Sequence, residues 1–444
     1  MTLEHLAKAG AALSASITSK TATVGIIGLG YVGLPLAVEF ARAGFPVVGI
    51  DVDRTRVHDL NAGRSYIPDV PTETVADLVA RGRLRAAFDF DILREIDAVI
   101  ICVQTPLTST KEPDLTYVTA SLQEVRRYLH PGQLVVLQST TYPGTTEEVA
   151  LPLLAGSGLT VGRDFFLAFS PERVDPGNTR YATRDIPKVV GGITPVCGLL
   201  GQALLEHVVP NVHRVSSARA AETTKLLENV YRSVNIALAN ELAILCRRMD
   251  VNIWEVIDAA ATKPFGFAAF YPGPGVGGHC IPVDPHYLTW KARAYEFNTR
   301  LTAAATEVNE EMPRHVAEMV RDTVNMRLRK SIAGARILAL GVAYKTGVPD
   351  PRESPAVKVL ALLANWGASV AYHDAMVPRV LVDGREYESV PLSADALKGA
   401  DCVVILTEHR GIDYGWVVEH AKCIFDTRNA TRSVPDPDRK VARL

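Results

Sequence analysis

Cys280 ends a glycine-rich run in which a thiol could meet a bound molecule. Asp284 follows it, and four of the seven residues before it are glycines: Gly273, Gly275, Gly277 and Gly278. Glycines let the backbone pass close to a ligand and expose its N–H groups. A helix predicted to begin near Asp284 would lower the pKa of the thiol and favour the thiolate. The pattern therefore predicts a nucleophile, with a purely structural turn as the alternative.

A second chemical pattern lies near the start of the chain. Gly28, Gly30 and Gly33 match G-x-G-x-x-G between a predicted strand, Val24–Ile27, and a predicted helix over residues 34–43. In such a turn the first glycine allows the tight bend, the second admits a pyrophosphate and the third permits close helix–strand packing. The N-terminus of the helix supplies N–H donors to the phosphates. A nicotinamide site together with a nucleophilic thiol indicates oxidation past an aldehyde, through a thioester, to an acid.

The residue that follows the second predicted strand bears on the choice of dinucleotide. Asp51 ends the strand Val47–Ile50. A carboxylate there accepts from the ribose 2′-OH and favours NAD over NADP. Arg54 and Arg56 follow closely and could tolerate a 2′-phosphate, although a solvated turn is the interpretation we prefer for them.

Several other polar residues are candidates on weaker grounds. Lys225 and Asn229 stand four apart on a predicted helix and so share a face; they could bind a reacting oxygen or a water, although spacing alone favours a solvent-facing pair. Glu172 follows a strand-like run, where sites gather in α/β folds, and a surface carboxylate is the alternative. Cys102 and Cys402 lie inside apolar strands and are interpreted as core residues.

Composition excludes several classes of protein. The chain has 444 residues, 48% hydrophobic and 22% charged, with a net charge of −2. These values are typical of a globular protein of two or three domains and give no general attraction for nucleic acid. No apolar run reaches the roughly 20 residues of a membrane span. Six scattered cysteines, with no metal-ligand spacing, favour a reducing cytoplasm and predict no metal site.

The order of predicted elements indicates an α/β fold. Apolar strands are predicted over residues 24–27, 47–50, 98–103 and 134–137, with helical stretches between them, and again over residues 336–340, 369–372, 402–406 and 423–425. Alternation of this kind predicts parallel, doubly wound sheets. Residues 218–249 form one long helical pattern without Pro or Gly. A short amphipathic helix is predicted within the first twenty residues, and the polar tail after Asn429 is expected to be loosely held.

Five ordered motifs resemble those of the nucleoside-diphosphate-sugar 6-dehydrogenases, the family of UDP-glucose and UDP-N-acetylhexosamine dehydrogenases. They are Gly28-Leu-Gly-Tyr-Val-Gly-Leu-Pro35, Ser170-Pro-Glu-Arg173, Glu222-x-x-Lys225-x-x-x-Asn229, Gly273-x-Gly-x-Gly-Gly-x-Cys280-x-Pro-x-Asp284 and Arg352-Glu-Ser-Pro355. The resemblance runs from about residue 22 to about residue 430. It implies NAD-dependent four-electron oxidation of a sugar C6 hydroxymethyl group to a carboxylate. It also implies two Rossmann-like domains joined by a long central helix that forms a homodimer.

The resemblance also assigns roles, residue by residue. Cys280 resembles the nucleophile, Lys225 and Asp284 the pair that handles protons and water in the first oxidation, and Asn229 the residue that binds the reacting oxygen. Glu172 resembles the carboxylate that serves thioester hydrolysis, with Thr140 positioning water. Cofactor contacts are implied for Gly28, Gly30, Tyr31, Val32, Gly33, Asp51, Arg56, Thr105, Thr140 and Arg352. Substrate contacts are implied for Glu172, Arg173, Lys225, Asn229, Tyr271, Gly273, Gly277, Lys345 and Arg428.

The same resemblance implies an order of domains. We expect an N-terminal extension over residues 1–21, an NAD-binding Rossmann domain over 22–215, a central helical domain with the cysteine loop over 216–330 and a sugar-nucleotide-binding domain over 331–444. The extension has no obvious counterpart in the family. After the thiol the chain has Ile281-Pro-Val-Asp284 where many UDP-glucose enzymes have a basic residue.

The sequence leaves the substrate open. UDP-glucose, UDP-N-acetylhexosamines and dTDP-glucose all remain candidates, and the motifs resemble the bacterial N-acetylhexosamine branch more closely. Two other functions are considered. A two-electron hydroxyacid or hydroxyacyl dehydrogenase would need the dinucleotide site without the thiol loop. A non-catalytic sugar-nucleotide-binding protein would not need Cys280, Lys225 and Asp284 together.

Overall fold

The computed structural model describes residues 8–174, 181, 183–278 and 281–444. The described chain divides into two compact units. The first contains residues up to Glu228 together with His286–Tyr295, and the second contains Asn229–Pro285 together with Glu296–Leu444.

The first unit is an α/β unit that begins with a helix. Its elements are α1 (Lys8–Thr18), β1 (Val24–Ile27), α2 (Gly33–Ala43), β2 (Val47–Ile50), α3 (Arg54–Asn61), α4 (Thr72–Ala80), β3 (Leu84–Ala87), β4 (Ala98–Ile101), α5 (Thr116–Tyr128), β5 (Leu134–Leu137), α6 (Leu151–Ala155), β6 (Phe166–Phe169), β7 (Lys188–Gly192), α7 (Pro195–Leu205) and β8 (Val212–Arg214). Short 3-10 turns cover Phe90–Glu95 and Thr183–Asp185, and a π-helical turn, Thr146–Ala150, leads into α6.

The eight strands form one sheet in the order β3-β2-β1-β4-β5-β6-β7-β8. The first six follow the Rossmann order and pair in parallel, with Val24 opposite both Val47 and Ala98. The reversal of strand order between β1 and β4 creates the crevice where α/β folds bind ligands. The sheet departs from the all-parallel prediction at one place, because β7 runs antiparallel to β6.

Apolar residues cover both faces of this sheet. Helix α1 contributes to one of these layers, since Leu13 and Ile17 are buried in the same cluster as Phe40 and Leu204. The amphipathic helix predicted in the N-terminal extension is therefore present and packs into the core of the first unit. The opposite layer contains Val118, Leu122 and Val125 of α5.

Four helices follow the first sheet. They are α8 (Ala218–Arg248), α9 (Ile253–Ala261), α10 (Asp284–Arg293) and α11 (Arg300–Leu328). The long helix predicted over residues 218–249 corresponds to α8. It passes from the first unit to the second after Glu228.

The second unit contains a smaller sheet with the order β10-β9-β13-β14-β15. Its elements after α11 are β9 (Arg336–Leu340), α12 (Pro355–Asn365), β10 (Ser369–His373), β11 (Arg379–Val382), β12 (Arg385–Glu388), α13 (Ala394–Gly399), β13 (Cys402–Ile405), α14 (Tyr414–His420), β14 (Ile424–Asp426) and β15 (Val441–Arg443). All neighbours in the five-stranded sheet pair in parallel, and β11 and β12 form a separate hairpin.

These features confirm the predicted fold class: two parallel-dominated sheets and a long central helix. The prediction of a loose tail after Asn429 is wrong. Residues 441–443 add β15 to the edge of the second sheet, where Ile424 pairs with Val441, and Leu444 is buried. In the part of the chain that the structure describes, no helix combines the length and apolar character needed to cross a bilayer.

Candidate active site

The glycine turn after β1 has the shape that the fingerprint predicts. Gly28 has a φ of +91°, and a Cβ there would lie 2.8 Å from the carbonyl oxygen of Cys102. A Cβ on Gly33 would lie 1.8 Å from the carbonyl oxygen of Gly28, so α2 can begin there only with glycine. A Cβ on Gly30 would meet nothing within 4 Å. The turn is closed by packing at its two ends and open at its middle, where a pyrophosphate can approach.

Asp51 lies beside this turn at the end of β2. Its Oδ2 accepts from the N–H of Leu29 at 2.8 Å, and its Oδ1 accepts from the N–H of Asp53 at 2.9 Å. Arg56 lies 3.3 Å from Asp51 Oδ2 and 3.5 Å from Asp53 Oδ2. Because two carboxylates already balance this guanidinium, Arg56 is poorly placed to attract the 2′-phosphate of NADP. Arg54 lies over the ring of Phe88 instead.

Four more of the residues implied at the cofactor lie along the same edge of the first sheet. Tyr31 is half exposed in the turn, and Val32 is the residue before α2. Thr105 follows β4, and its carbonyl oxygen accepts from the hydroxyl of Tyr287 at 3.0 Å. Thr140 follows β5 and is partly exposed. The carboxyl ends of β1, β4 and β5 therefore bring these positions to the crevice side of the first sheet.

Glu172 is not the surface carboxylate that sequence allowed as its alternative. It follows β6, and its Oε2 accepts from Gln138 Nε2 at 2.6 Å and lies 3.2 Å from Lys188 Nζ. Its Oε1 accepts from the N–H groups of Arg173 and Val174. Burial by itself would raise the pKa of Glu172, but Lys188 and the backbone donors outweigh burial and hold that pKa below its ordinary value. The carboxylate is therefore held ionised.

Lys188 and Gln138 are residues that sequence reasoning missed. Lys188 begins the otherwise apolar β7, and a lysine in such a run is the one local signal of a buried partner. Gln138 directly follows β5. Neither lies near Glu172 in sequence, so only the order of the strands brings the three side chains together.

Lys225 is also buried, which overturns the preferred interpretation of a solvent-facing pair with Asn229. The lysine is 7% exposed and Asn229 is 8% exposed. No hydrogen bond or ion pair joins the Lys225 side chain to another residue of the described ranges. A buried ammonium without a partner is costly, and such groups are found where a ligand or reacting group supplies the missing contact.

Glu222, one turn before Lys225, has a structural role. Its carboxylate accepts from the N–H of Gly144 at 2.5 Å and from the N–H and hydroxyl of Thr146 at 2.8 Å and 2.6 Å. It thereby fastens α8 to the segment that follows Thr140. Burial raises the pKa of Glu222 to about 7, although these three donors act in the opposite direction.

Asn229 and Asp284 meet within the second unit. Asn229 Nδ2 donates to Asp284 Oδ2, and both side chains are buried. Asp284 is the first residue of α10, as predicted. The structure thus brings together two of the residues implied in the first oxidation, the carboxylate and the amide.

The glycine-rich loop is held by a buried amide network that sequence reasoning also missed. The N–H of Gly273 donates to Asn240 Oδ1, and Asn240 Nδ2 donates to Asn309 Oδ1, each at 3.0 Å. Asn309 in turn donates to the carbonyl oxygen of Ser233 at 3.0 Å. The loop is therefore anchored to α8 and α11. Tyr271 lies beside it, and its hydroxyl donates to Asp258 at 2.7 Å.

Arg428 lies against this loop. A Cβ on Gly273 would be 2.5 Å from Arg428 Nη1, so a larger residue there would force the end of the Arg428 side chain to shift. The Nε of Arg428 donates to the carbonyl oxygen of Leu406 at 2.9 Å. Burial lowers the pKa of Arg428 to about 10, against the attraction of Glu408 and Asp426. No described carboxylate pairs with this guanidinium, which leaves its charge available to an anionic ligand.

The remaining implied contacts are engaged in different ways. Gly277 lies close to the C-terminal part of the second unit, because a Cβ there would be 2.8 Å from the carbonyl oxygen of Glu353. Lys345 lies in the segment after β9 and is partly exposed. Arg352 forms a two-pronged pair with Asp350, at 2.7 Å for the closer ion-pair contact. Arg173, in the first unit, pairs with Glu228 at 2.7 Å.

Cys280, the predicted nucleophile, lies outside the described residues, as does His279. Gly278 on one side and Ile281 on the other are described. Within the described part of the chain, no group of three His, Cys, Asp or Glu side chains is arranged to hold a metal ion.

Comparison with known proteins decides the family. Models of the UDP-glucose/GDP-mannose dehydrogenase family match the chain in three consecutive segments: the NAD-binding domain over residues 22–209, the central domain over residues 219–311 and the UDP-binding domain over residues 338–433. The chain belongs to the UDP-glucose/GDP-mannose dehydrogenase family. It is accordingly an NAD-dependent oxidoreductase, and the prediction of NAD as the cofactor is confirmed.

Relatives extend this likeness over nearly the whole chain. UDP-N-acetyl-D-glucosamine 6-dehydrogenase of Pseudomonas aeruginosa is 35% identical over 88% of this chain and 91% of its own. UDP-N-acetyl-D-mannosamine dehydrogenase of Pyrococcus horikoshii is 35% identical over 93% of this chain and 96% of its own. A solved structure of UDP-D-ManNAc dehydrogenase from Pyrococcus horikoshii superimposes with a TM-score of 0.85 at 32% identity, covering 95% of this chain and 99% of that one.

Proposed function

We propose that the protein oxidises the C6 hydroxymethyl group of a UDP-N-acetylhexosamine, of the glucosamine or mannosamine type, to a carboxylate with two molecules of NAD. The observation that carries this proposal is the presence of an NAD-binding domain and a UDP-binding domain of one family in a single chain. The N-acetylhexosamine is favoured because two relatives that share about a third of the sequence carry that substrate class in their names.

Lys225, Asn229 and Asp284 are proposed to serve the first oxidation. A buried ammonium without a described partner suits an oxygen that loses its proton, because it stabilises the developing negative charge. The amide of Asn229, oriented by Asp284, can donate to the same oxygen or to a water beside it. Bound NAD supplies the chemistry of hydride acceptance, and the residues named here hold the hydroxyl and its proton.

Cys280 and Glu172 are proposed to serve the second half of the reaction. Attack of the Cys280 thiolate on the C6 aldehyde gives a thiohemiacetal, and its oxidation leaves a thioester. Glu172, held ionised in the first unit, then accepts a proton from the water that hydrolyses the thioester. Thr140 is proposed to position that water.

Arg428 is the cation that we propose for the diphosphate. Its guanidinium is partly desolvated, lies against Gly273 and has no described carboxylate partner. Tyr271, Gly277, Lys345 and Arg173 are proposed as further substrate contacts and Arg352 as a cofactor contact, on the resemblance alone.

We also propose that the protein is a homodimer through α8. Five large apolar side chains on this helix are 37–66% exposed, and their spacing places them on one stripe: Leu227, Tyr231, Leu238, Leu242 and Leu245. An exposed apolar stripe of this length is typical of a covered surface. Leu238→Glu should convert a dimer to a monomer in light scattering after gel filtration, and an unchanged mass would remove α8 from the interface. The five described cysteines are free, in keeping with the proposed cytoplasmic location.

The function is tested by NADH formation. Purified protein with NAD is offered UDP-GlcNAc, UDP-ManNAc, UDP-glucose, UDP-galactose and dTDP-glucose in parallel. We expect two NADH per uronic acid with an N-acetylhexosamine substrate and no free aldehyde. One NADH per product carbonyl would indicate a two-electron enzyme, and no NADH with any sugar nucleotide would contradict the proposal.

Cys280→Ser provides the matched variant for the mechanism. The hydroxyl is far less ionised than the thiol and is a poorer nucleophile. Full turnover to the acid should fall by about 10²–10⁴-fold while sugar-nucleotide binding is retained. Normal turnover of Cys280→Ser would exclude the thioester.

A further inference from the structure

The carboxylate of Glu172 is fixed by donors from three separate segments. Gln138, after β5, donates to Oε2 at 2.6 Å, and Lys188, in β7, lies 3.2 Å from the same oxygen. The N–H groups of Arg173 and Val174 donate to Oε1 at 2.8 Å and 2.9 Å. Neither oxygen can turn without breaking two contacts, so the orientation of the carboxylate is set by its neighbours.

Lys188 is buried to a degree that is rare for lysine. Its side chain is 4% exposed, and Glu172 is the one described carboxylate within ion-pair distance of it. Removal of an ammonium from water costs several kcal/mol unless a counter-charge compensates. The burial of Lys188 is therefore explained by Glu172, and removal of the lysine would leave Glu172, whose side chain is 15% exposed, with neutral donors alone among the described residues.

Among the described residues, the other groups around the carboxylate do not supply a second cation. Burial raises the pKa of the Cys102 thiol, and the charge of Glu172 adds to that rise, so Cys102 is neutral there. The guanidinium of Arg173 is directed away, to Glu228 at 2.7 Å and to the carbonyl oxygen of Pro187 at 2.6 Å. Within the described ranges, Lys188 is thus the positive charge that faces Glu172.

We propose that Lys188, together with Gln138, is a positioning residue for the hydrolytic half of the reaction: it keeps Glu172 ionised and holds its carboxylate in one orientation. This inference rests on the proposed function, because it assigns a partner to Glu172 in thioester hydrolysis. Lys188 acts through Glu172 and does not touch the sugar. Its charge stays on the enzyme throughout the step.

The step balances without any further reactant. The oxygen of water bonds to the thioester carbonyl carbon as Glu172 takes one proton from it. The carbon–sulfur bond then breaks, the sulfur of Cys280 leaves as the thiolate, and the product acid loses its remaining proton to solvent. No electrons are transferred. The requirement is an unprotonated Glu172, and the ion pair with Lys188 meets that requirement.

The test separates hydrolysis from oxidation in one experiment. Lys188→Met is mixed with saturating NAD and the sugar nucleotide that the wild type turns over best. A burst of two NADH per site should be retained, followed by a slow phase during which the covalent sugar adduct accumulates on the protein, as read by intact mass spectrometry. Without the lysine, burial dominates and the pKa of Glu172 rises. When the rate of the slow phase is plotted against pH, its fall on the acid side should therefore occur about 1–3 pH units higher than in the wild type, and the rate should recover at high pH.

Three variants sharpen the result. Lys188→Arg keeps the charge and should leave the fall on the acid side near its wild-type position. Lys20→Met removes an exposed lysine of the first unit and should change nothing. In a Glu172→Gln background, Lys188→Met should have no further effect on the pH profile, because the group it acts on is already gone. If Lys188→Met does not fold, Gln138→Met removes a neutral donor from the same oxygen and should shift the fall on the acid side in the same direction by less.

Two outcomes overturn the inference in distinguishable ways. A wild type that forms no NADH with any sugar nucleotide defeats the proposed function and this inference with it. An active wild type alongside a Lys188→Met variant whose hydrolysis is slowed equally at all pH values, or not slowed at all, defeats the inference alone. In that case Lys188 serves stability and not the ionisation of Glu172.

Discussion

Each of the two sheets of this protein has a glycine turn after its first strand, held by an aspartate from the next strand, but the two turns serve different purposes. In each, a glycine with positive φ follows the first strand, Gly28 after β1 and Gly341 after β9, at +91° and +81°. In each, an aspartate at the end of the next strand accepts from the N–H groups of that turn. Asp51 accepts from Leu29, and Asp374 accepts from Val342 and Ala343.

The two carboxylates differ in how many further hydrogen bonds they can accept. An ionised carboxylate offers about four acceptor positions. Asp374 uses Oδ2 for Val342, Ala343 and His409, and Oδ1 for Met376. It is fully buried and fully satisfied.

The Asp51 carboxylate can still accept a further hydrogen bond. It has two backbone donors and the longer contact to Arg56, whose side chain is 39% exposed and can move. One position is left for a ribose hydroxyl.

The chain after each glycine differs as well. Helix α2 begins at Gly33, so its N-terminus follows directly on the first turn. After Gly341 a long segment with Tyr344 and Lys345 precedes α12 at Pro355. Without a helix N-terminus at the turn, the second sheet lacks the phosphate cradle of a dinucleotide site. One architecture thus hosts two functions through what is built on the strand ends.

The largest expected effect is on stability and falls on Asp374. Asp374→Ala leaves three N–H donors and His409 without their acceptor in a buried site, so the free energy of unfolding should fall by about 3–5 kcal/mol. Asp51→Ala is the matched control, and its cost should be about 1–2 kcal/mol because fewer groups lose an acceptor there: two N–H donors and the partly exposed Arg56. Urea denaturation measures both. Equal losses would show that the two aspartates are equivalent.

The next effect concerns the ligand of the second unit. Arg428→Ala removes a desolvated cation beside Gly273 and should raise KM for the sugar nucleotide by about 100-fold, as expected for a charge-assisted contact to phosphate. KM for NAD should stay within about twofold. Arg432→Ala, at an exposed arginine nearby, is the control. A change in KM for NAD with none for the sugar nucleotide would reverse the assignment of this unit.

Asp51 provides the reciprocal test on the first unit. Asp51→Ser removes the charge that favours a ribose diol and disfavours a 2′-phosphate, so kcat/KM for NAD should fall by about 30-fold, in line with a lost hydrogen bond to a charged group. The ratio of kcat/KM for NAD to that for NADP should fall, because Arg56 loses one of its two carboxylate partners and can then attract the 2′-phosphate. Steady-state kinetics with both cofactors measure this. An unchanged ratio would place the selection elsewhere.

Much of this contrast was visible in the sequence, and the reasons for the gaps are physical. Apolar runs predicted β1, β2 and β5 with their observed bounds, because a strand buried on both faces has no polar alternation. Gly28, Gly30 and Gly33 stood out because they follow a predicted strand and lead into a predicted helix, the context in which this spacing binds a dinucleotide. The turn at Gly341 has only the first of these glycines and was not recognised.

The side-chain networks were not predictable from sequence. Lys188 and Gln138 meet Glu172 only because β5, β6 and β7 are neighbours in the sheet. Asn240 and Asn309 lie on different helices, and nothing in their local sequence indicates that they pair. The burial of Lys225 depends likewise on tertiary packing, which decides between the two faces of a helix. The tail strand β15 was missed because three residues with polar flanks carry no period.

The smallest expected effect is on the stability of the protein at acid pH. Burial by itself would raise the pKa of Asp374, but the hydrogen bond from His409 and the N–H groups of Ala343 and Val342 outweigh it and lower that pKa to about 2. An unfolded aspartate titrates near 3.9. The contribution of Asp374 to stability is therefore complete above about pH 4 and is lost as the pH falls through about 2. The difference in unfolding free energy between wild type and Asp374→Asn should shrink by about 2 kcal/mol between pH 5 and pH 2.

Denaturation series at several pH values measure this difference, with Asp438→Asn, at an exposed carboxylate, as the control for general acid effects. A difference that stays constant with pH would mean that the Asp374 site stabilises the neutral acid as well as the carboxylate, and that its hydrogen bonds, unlike those at Asp51, do not depend on charge.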